Sequence, residues 1–431
     1  MTNSLQQKSG KRNPFSIITR AKDRLRKLAE KKFGMIPEFL LAGAYQSYIT
    51  TPGEPVWTPR NYWKFSDEGY SRNVIAFRAI SLVAQSAASV PWLLYKTDGG
   101  VKKQIAAHPI LDLLNKPNPS MGGDEFIENL LTYRMISGNS YIQRIAAGDG
   151  VPAELYLLRP DRVTLIAGNN YLPLGYRYSI NQDDLYKDFP VDRLTGQSEI
   201  LHLKNFHPLN DWYGLSPMEA AAYSIDQHNQ AAVWNQSLLQ NGARPSGALV
   251  VKNANNQAVT LSDEQFTRLK GQIDDQYSSA KNAGRPLLLE GGLEWKEMSL
   301  KPRDMDFLNI KYSSARDIAL AFGVPPQLLG IPGDSTYNNM AEAKLSLWEQ
   351  TVIPMLQSLA NALNGWLLPL FGPNLCLDID VDNISAMAPR REGLWSKLQG
   401  VDFMTVNEKR AAVGLSPING GDILDTSPAK Q

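Results

Sequence analysis

Three aspartates near the C-terminal end are the residues whose spacing best suits catalysis. Asp378, Asp380 and Asp382 alternate with apolar residues, and a β-strand would place the three carboxylates on one face. Such a set could bind Mg²⁺ or Ca²⁺, as in a metal-dependent phosphodiesterase. The alternative is an edge strand whose acidic face is solvated or paired with Arg390 or Arg391. We favour it, because no further acidic or basic cluster completes a nuclease site.

The other reactive residue types do not combine into a site. None of the four His has a partner at metal-ligand spacing, and the single cysteine, Cys376, excludes a disulfide framework or a multi-thiolate metal site. We interpret Cys376 as a buried strand thiol. The sequence has no Walker A loop, no serine-hydrolase elbow and no dinucleotide-binding glycine motif. We therefore expect a protein that is not an enzyme and uses no cofactor.

Charge is distributed unevenly along the 431 residues. Residues 1–32 contain ten Lys or Arg and two acidic residues, a net charge of +8, so the other 399 carry −7 of the total of +1. The basic arm could meet nucleic acid, an acidic partner or, as an amphipathic helix, a membrane surface. We favour a frayed tail that orders on assembly. With 43% hydrophobic and 20% charged residues, the rest has a globular composition.

Periodicity predicts an α+β body that begins near Ser71. The predicted helices are 72–89, 108–115 and 123–137, the last ended by Gly138, and the predicted strands are 92–95, 141–145, 154–158, 162–166, 175–180, 200–203 and 247–251. A helix over 216–241 should begin with a capping box of Ser216 and Glu219 around Pro217.

Two helices of similar length follow, with a β-hairpin between them. The first begins at a capping box of Ser262 and Gln265 and runs to about Ala280. The second follows Pro302 and carries an apolar stripe of Leu308, Tyr312, Ala315, Ala319 and Phe322. The hairpin turns at Gly291 and Gly292. Its strands need neighbours, and none is obvious nearby in this chain, so pairing with another subunit is one solution; the alternative is an αββα insertion packed on its own body.

The C-terminal third begins with a small polar loop over 331–339. A long helix over 340–370 should be kinked by Pro354, which lacks a backbone donor. A strand at 377–381, short helices at 390–397 and 406–413, and a dozen mobile residues complete the prediction.

Short segments along the chain occur in the order found in one known family. They are VIAFRAIS (74–81), VPW (90–92), HPILDLL (108–114), GNSY (138–141), LRPDRV (158–163), GLSP (214–217), NGARPSG (241–247), LEGGL (289–293) and AFGVPP (321–326). Through them the chain resembles the portal proteins of tailed bacteriophages, of the siphovirus type, over about residues 70–425. No single segment is diagnostic; their order and spacing carry the resemblance.

The resemblance implies an α+β portal fold whose parts carry over by position. They are a flexible basic N-terminal arm (1–40), an α/β wing (41–259), stem helix 1 (260–283), a β-hairpin clip (284–300), stem helix 2 (301–324), a tunnel loop with a long kinked helix and a return strand of the wing (325–385), and a small α-helical crown with the C-terminal tail (386–431).

The resemblance also implies a structural function. Portal proteins form a ring, typically a homododecamer, at one capsid vertex, through which double-stranded DNA enters during packaging and leaves during ejection. The implied partners are other copies of the chain, DNA bound without sequence specificity, the terminase large subunit, a head-tail connector or adaptor protein, and the major capsid protein or scaffold. The implied location is the virion, after assembly in the host cytoplasm.

Two sets of site residues follow from the resemblance. The DNA-facing candidates of the tunnel loop are Asp334, Ser335, Thr336, Tyr337, Asn338 and Asn339. They include no Lys or Arg, so they could touch a duplex without arresting it. The candidates for docking terminase and connector are the clip residues Leu289, Glu290, Gly291, Gly292, Leu293, Glu294 and Trp295.

Overall fold

A computed structural model describes most of the chain beyond residue 57. The described residues are 58, 60–98, 101–148, 150–168, 173–180, 185–240, 247–251, 262–277, 293–297, 307–333, 337–415 and 418–424. Their α-helices are α1 (Val74–Ala88), α2 (Pro109–Asn115), α3 (Gly123–Ser137), α4 (Pro217–Ala220), α5 (Ala222–Gln240), α6 (Asp263–Tyr277), α7 (Phe307–Ala321), α8 (Tyr337–Leu347), α9 (Ile353–Trp366), α10 (Ala388–Gln399) and α11 (Val406–Ala412). The N-terminal arm, 1–40, lies outside the described residues.

Short antiparallel sheets accompany these helices. The strands are β1 (Trp92–Asp98), β2 (Val101–Ile105), β3 (Asn139–Ala146), β4 (Pro152–Leu158), β5 (Val163–Ala167), β6 (Pro173–Ser179), β7 (Tyr186–Pro190), β8 (Ile200–Lys204), β9 (Gly247–Val251), β10 (Leu293–Glu297) and β11 (Leu375–Ile379). They are ordered β11-β1-β2, β4-β3-β8, β5-β6-β7 and β9-β10. The predicted α+β class is confirmed.

The main core lies around α1 and α3. α1 buries seven of its fifteen residues and α3 buries six, as expected for helices whose apolar stripe faces other elements. α9, the C-terminal part of α7 and the sheet that contains β11 join the same cluster. In that sheet Leu94 of β1 lies opposite Leu377 of β11. The C-terminal third of the chain therefore completes the core of the N-terminal half.

Two helix ends follow the local signals that predicted them. Gly138, at φ +75°, ends α3, and its N–H donates to the carbonyl of Arg134 at 2.8 Å. A Cβ on Gly138 would lie 2.4 Å from the Gly214 carbonyl oxygen, so the position requires glycine for both conformation and space. At the start of α6, Ser262 and Gln265 exchange both bonds of the predicted capping box.

The prediction of one continuous helix from Ser216 was wrong. The Ser216 Oγ does accept from the Met218 N–H at 3.0 Å, but its hydroxyl donates to the Ile136 carbonyl at 2.6 Å. α4 then ends at Ala220, and α5 begins after Ala221, whose ψ is −2°. Ser216 thus ties the start of α4 to the end of α3, and the break at Ala221 separates α4 from α5.

The sequence analysis missed several elements. The body begins before Ser71, with a helical turn, Tyr62–Lys64, that continues as a π-helix, Phe65–Ser71. β2 and β7 were also missed. Both lie at sheet edges and are rich in charged residues, which suit exposed edges but hide the strand pattern.

The C-terminal residues are more ordered than predicted, as far as residue 424. Residues 418–424 fold against α11 through Asn407, whose N–H donates to the Gly421 carbonyl at 2.8 Å. The Asn407 side chain donates to the Ile418 carbonyl and accepts from the Ile418 N–H. We call residues 418–424 the C-terminal turn. The Asn407 side chain holds this turn through Ile418 and Asp422. The periodicity of apolar residues therefore could not predict the turn.

Candidate functional site

α7, the second predicted stem helix, has a buried half and an exposed half. Ala315, Ala319 and Phe322 of the predicted stripe are buried. Leu308 is 66% exposed, and Ile310, off the stripe, is 42% exposed. The stripe is therefore confirmed only where α7 packs on the body.

α7 packs on α5 in an antiparallel arrangement. The Ser314 hydroxyl donates to the Gln227 side chain at 3.4 Å, and the Ser224 hydroxyl donates to Asp317 at 3.3 Å. Continuing this register along both helices places Val233 level with Leu308, and Val233 is 55% exposed. We call Val233, Leu308 and Ile310 the stem patch. One chain thus leaves three large apolar side chains exposed at one end of its helix pair.

α6, the first predicted stem helix, also carries an apolar residue at its surface. Phe266 is exposed and Leu269 half-buried. The predicted stripe continues through Ile273 and Tyr277, whose side chains lie outside the described part, as do residues 278–283. Like α7, α6 leaves apolar area uncovered by its own chain.

Two hydrogen bonds fix the segment that leads from α7 to the predicted tunnel loop. Arg316 donates to the Pro332 carbonyl at 2.6 Å, and the Thr351 hydroxyl donates to the Gly323 carbonyl at 2.7 Å. Gly323 has φ +65°, and a Cβ there would lie 2.5 Å from the Thr351 Oγ1. The sequence analysis missed Arg316 and Thr351, since a bond from a side chain to a distant carbonyl leaves no local pattern.

The tunnel-loop candidates fall partly outside the described residues. Asp334, Ser335 and Thr336 lie outside, whereas Tyr337, Asn338 and Asn339 form the start of α8. The predicted boundary at residue 340 was therefore wrong by three residues. Asn is unfavourable inside a helix but tolerated in the first turn, where the main-chain N–H groups have no partner within the helix. α8 thus takes up three residues that were predicted for the loop.

The predicted break in the long helix lies next to Pro354. α8 passes into a π-helical segment, Trp348–Val352, and the Ile353 N–H donates to the Trp348 carbonyl, five residues back. Pro354 follows in the first turn of α9. Because proline has no N–H and its ring crowds the carbonyl four residues earlier, a wide turn at this place relieves it.

The clip candidates also lie partly outside the described residues. Leu289, Glu290, Gly291 and Gly292 are outside. Leu293, Glu294 and Trp295 lie in β10, which pairs antiparallel with β9, with Leu293 opposite Val251. β10 thus has a partner strand from its own chain, which was not obvious from the sequence because β9 lies more than 40 residues earlier. The predicted turn at Gly291-Gly292 stays a prediction.

The three aspartates do not share a strand face. β11 ends at Ile379, so only Asp378 lies in a strand, and it is exposed. Asp380 instead caps a 3₁₀ turn by accepting from the Asn383 N–H at 3.1 Å. Arg391 donates to the Asp382 main-chain carbonyl, not to its carboxylate. Within the described ranges no group of three His, Cys, Asp or Glu could hold a metal ion.

A buried polar cluster joins β3 and β8 to the main-chain segment around Gly214. The Asn139 Oδ1 accepts from the Gly214 N–H at 2.7 Å and lies 3.0 Å from the His202 Nε2. The His202 ring stacks on Tyr141 with centroids 4.4 Å apart. Burial lowers the pKa of His202 to about 3, so the neutral imidazole donates to Asn139. This cluster positions the sheets and has no exposed reactive group.

A second cluster ties the start of α1 to α5. The Asn73 Oδ1 caps α1 by accepting from the Ile75 and Ala76 N–H groups, and its Nδ2 lies 3.2 Å from the His228 Nδ1. Burial, and then Lys311, lower the pKa of His228. Thr58 donates twice to Asp226 of α5. α5 thus connects the first described residues with α7.

The described residues include no helix whose length and hydropathy would allow it to cross a bilayer. What distinguishes this chain is instead a large self-contained core that carries helices with exposed apolar faces. That combination is typical of a subunit completed by neighbouring copies.

Comparisons with known proteins agree with this view. The sequence pattern of the family described as "Phage portal protein" matches residues 75–414. An uncharacterized protein of Rickettsia bellii is 50% identical over 358 residues, 83% of this chain and 90% of that protein. The portal protein of Enterobacteria phage HK97 is 26% identical over 372 residues, 83% of this chain and 82% of that protein.

A solved structure is also similar to this chain in its three-dimensional fold. A chain in the neck of a native gene transfer agent (GTA) particle, computed with C12 symmetry, is 40% identical, with a TM-score of 0.63 over 88% of this chain and 99% of that chain. Since the family pattern spans the core, α7 and the C-terminal helices alike, the chain belongs to the phage portal protein family.

Proposed function

We propose that this chain forms a closed ring that serves as the DNA channel of a phage-like particle. The observation that carries the proposal is the stem patch. Val233, Leu308 and Ile310 are exposed in one chain, although the same two helices pack closely farther along. A neighbouring copy would bury them, and closure of the ring would leave no copy uncovered. The C12 symmetry used for the related neck structure supports a ring of twelve.

The channel role fits the charge of the chain. Outside residues 1–32 the net charge is −7. Proteins that bind duplex DNA tightly neutralise phosphates with Lys and Arg, and release counterions as they do so. A channel has to let the duplex slide, so few such contacts suit it. We infer that the loop of residues 333–336, fixed at one end by Arg316, faces the duplex and guides it without sequence specificity.

The clip is the proposed docking surface for terminase large subunit and for a head-tail connector protein. Within the described residues the β9–β10 ribbon has two strands. The outer edge of such a strand presents main-chain N–H and C=O groups to which a further strand can bind. Residues 284–300 would contact these partners by strand addition or side-chain packing. The opposite end of the ring, residues 386–431, would face the capsid interior, where a scaffold or the major capsid protein assembles with it in the host cytoplasm.

The ring itself performs no reaction in this proposal. Force for packaging would come from an ATP-hydrolysing partner, because the sequence has no phosphate-binding loop. The competing hypothesis, a phosphodiesterase built on Asp378, Asp380 and Asp382, requires three convergent carboxylates. Their separate positions on a strand, at a cap and in a turn argue against it.

The first experiment tests ring formation. Native mass spectrometry and negative-stain imaging of the purified chain should show a closed ring of about twelve copies. Leu308→Glu should lower the ring fraction at least tenfold at equal concentration, because it places a charge in the buried contact. The matched control is Leu194→Glu, at a fully exposed wing position, which should leave the ring intact. A monomer at all concentrations would contradict the proposal.

The second experiment tests the channel. Particles assembled with a chain lacking residues 334–336 should form the same ring but package less DNA or lose it after packaging, measured by quantitative amplification of protected DNA. Arg316→Gln removes the anchor of the loop without shortening it and should give a milder defect. Normal packaging and full retention in both variants would contradict the assignment of this loop to the channel.

A further inference from the structure

The two C-terminal helices have almost no core of their own. α10 buries none of its residues in the single chain, and α11 buries only Asn407. Leu394 and Trp395 of α10 are 42% and 48% exposed. Isolated helices of seven to twelve residues are marginal in water. These helices therefore lack, within one chain, the apolar burial that would hold them in place.

A groove of about 620 Å³ lies between α10 and the end of α11. Leu394 and Trp395 supply apolar wall, and Arg391 and Lys397 supply positive charge. The Arg391 guanidinium carbon lies 5.4 Å from the Trp395 ring centroid. Arg390 also lines the groove but pairs with Glu349 of the π-helical segment, and Asp382 is the one acidic residue among the lining residues. The groove thus suits an apolar segment with a carboxylate.

The C-terminal turn has the complementary chemistry. Ile423 is 73% exposed, and Leu424 beside it is also exposed. Asp422 accepts from the Asn407 side chain at 2.8 Å through one oxygen. Residues 415–425 contain two Asp and no Lys or Arg. The turn therefore presents apolar side chains and negative charge on a backbone that Asn407 holds in a defined conformation.

The turn and the groove lie at opposite ends of α11. Asn407, which holds the turn, is the second residue of α11, whereas the groove is lined by Ala412, Val413 and Gly414 at its other end. Seven helical residues separate the ends by about 10 Å. Two complementary surfaces at different places on one chain can bind each other between neighbouring copies. Such head-to-tail contacts repeat from copy to copy and can close into a ring.

We propose that the C-terminal turn of one copy docks in the groove of the adjacent copy. Ile423 and Leu424 would pack on Leu394 and Trp395, and Asp422 would lie near Lys397. The inference rests on the proposed ring and adds to it a second belt of contacts, distant in sequence from the stem patch. The occupant is a second copy because its turn matches the groove in both charge and apolar character.

Cysteine cross-linking tests the contact directly. In a Cys376→Ala background, Leu394→Cys and Ile423→Cys are made as two separate single-cysteine chains and as one double variant, and assembled rings are treated with a short bis-maleimide. The mixture of the two single variants should give dimers on a denaturing gel, and the double variant a ladder of multimers. Leu209→Cys, at a fully exposed loop of the wing, replaces Ile423→Cys in the matched control pair, which should give at least tenfold less dimer.

Charge exchange supplies an independent readout. Asp422→Lys and Lys397→Glu should each lower the ring fraction severalfold at limiting concentration, and their combination should recover most of the loss, because the reversed pair restores attraction. The reciprocal combination of Asp422→Lys with Arg72→Glu, at an exposed position in the wing, should recover nothing.

Each remaining outcome overturns the inference in a recognisable way. Rings that form without cross-links above the control pair would refute the contact and leave the proposed function standing. Absence of rings would refute the proposed function itself. A cross-link confined to single chains would place the turn in its own groove. In the Leu394→Cys chain, protection of the introduced thiol by duplex DNA, and not by ring assembly, would make the groove a nucleic-acid surface.

Discussion

α1 and α10 are helices of similar length with opposite relations to the rest of the chain. α1 buries seven residues, among them Ile80 and Val83 with no exposed surface, whereas α10 buries none. Yet both carry apolar residues, Leu394 and Trp395 in the case of α10. The difference shows that part of this chain folds on its own core, whereas the C-terminal part leaves large apolar side chains exposed.

The largest expected effect compares one leucine from each region. Leu130 of α3 has no exposed surface, whereas Leu394 is 42% exposed. Leu130→Ala should lower the free energy of unfolding by about 3 kcal/mol, through lost burial and a cavity, and Leu394→Ala by less than about 1 kcal/mol. Urea denaturation at low subunit concentration, followed by circular dichroism, measures both. Equal losses would mean that the two regions do not differ as described.

A smaller effect concerns pH and the self-contained region alone. Burial lowers the pKa of His202 from 6.5 to about 3. Between these values the unfolded chain binds more protons than the folded one, so the free energy of unfolding should fall as the pH drops below 6.5 and stay unaffected by His202 above it. Between pH 7 and pH 5, the free energy of unfolding of His202→Gln should therefore fall by roughly 1–2 kcal/mol less than that of the natural chain.

The control for this titration is His207→Gln, on a loop at the surface. Its unfolding, followed by tryptophan fluorescence across the same pH series, should follow the natural chain. If His202→Gln showed the same pH dependence as the control, the buried cluster around Asn139 would not be the origin of the acid sensitivity.

The third prediction concerns the local stability of the C-terminal turn. Asn407→Ala removes three side-chain hydrogen bonds to the C-terminal turn and should lower its local stability by about 1–2 kcal/mol. Hydrogen exchange of residues 418–424 should accelerate accordingly, with exchange in α1 unchanged. Asn419→Ala, at an exposed position in the same turn, is the matched control. Acceleration in both variants would show that Asn407 does not hold the turn.

The sequence predicted the elements whose signals are local. The end of α3 and the start of α6 are set by Gly138 and by the Ser262–Gln265 pair, each within three or four residues, and these predictions were confirmed. The stripe on α7 was confirmed at Ala315 and Ala319 but not at Leu308, because periodicity shows which face is apolar and not how far the neighbouring helix extends.

What the sequence could not predict depends on distant pairing. β9 finds its partner β10 more than 40 residues away, and Arg316 and Thr351 fix carbonyls 16 and 28 residues distant. The alternation of Asp378, Asp380 and Asp382 predicted a shared face, but the strand ends at Ile379 where the chain turns to cap a 3₁₀ segment. The sequence therefore predicted several of the elements that carry the candidate residues but not the distant contacts that fix them, and the roles of those residues stay a prediction.

The π-helical segment Trp348–Val352 gives the long helix a spare residue. Its hydrogen bond spans five positions where an α-helix spans four. Removal of one residue from this stretch would let an ordinary α-helix continue with α8 and α9 in nearly their present phase, because the wide turn already absorbs the extra residue. The same deletion in a regular part of the helix would turn the preceding segment by about 100° about the axis. The long helix therefore tolerates a change of one residue at this point, whereas elsewhere such a change would redirect the loop before α8.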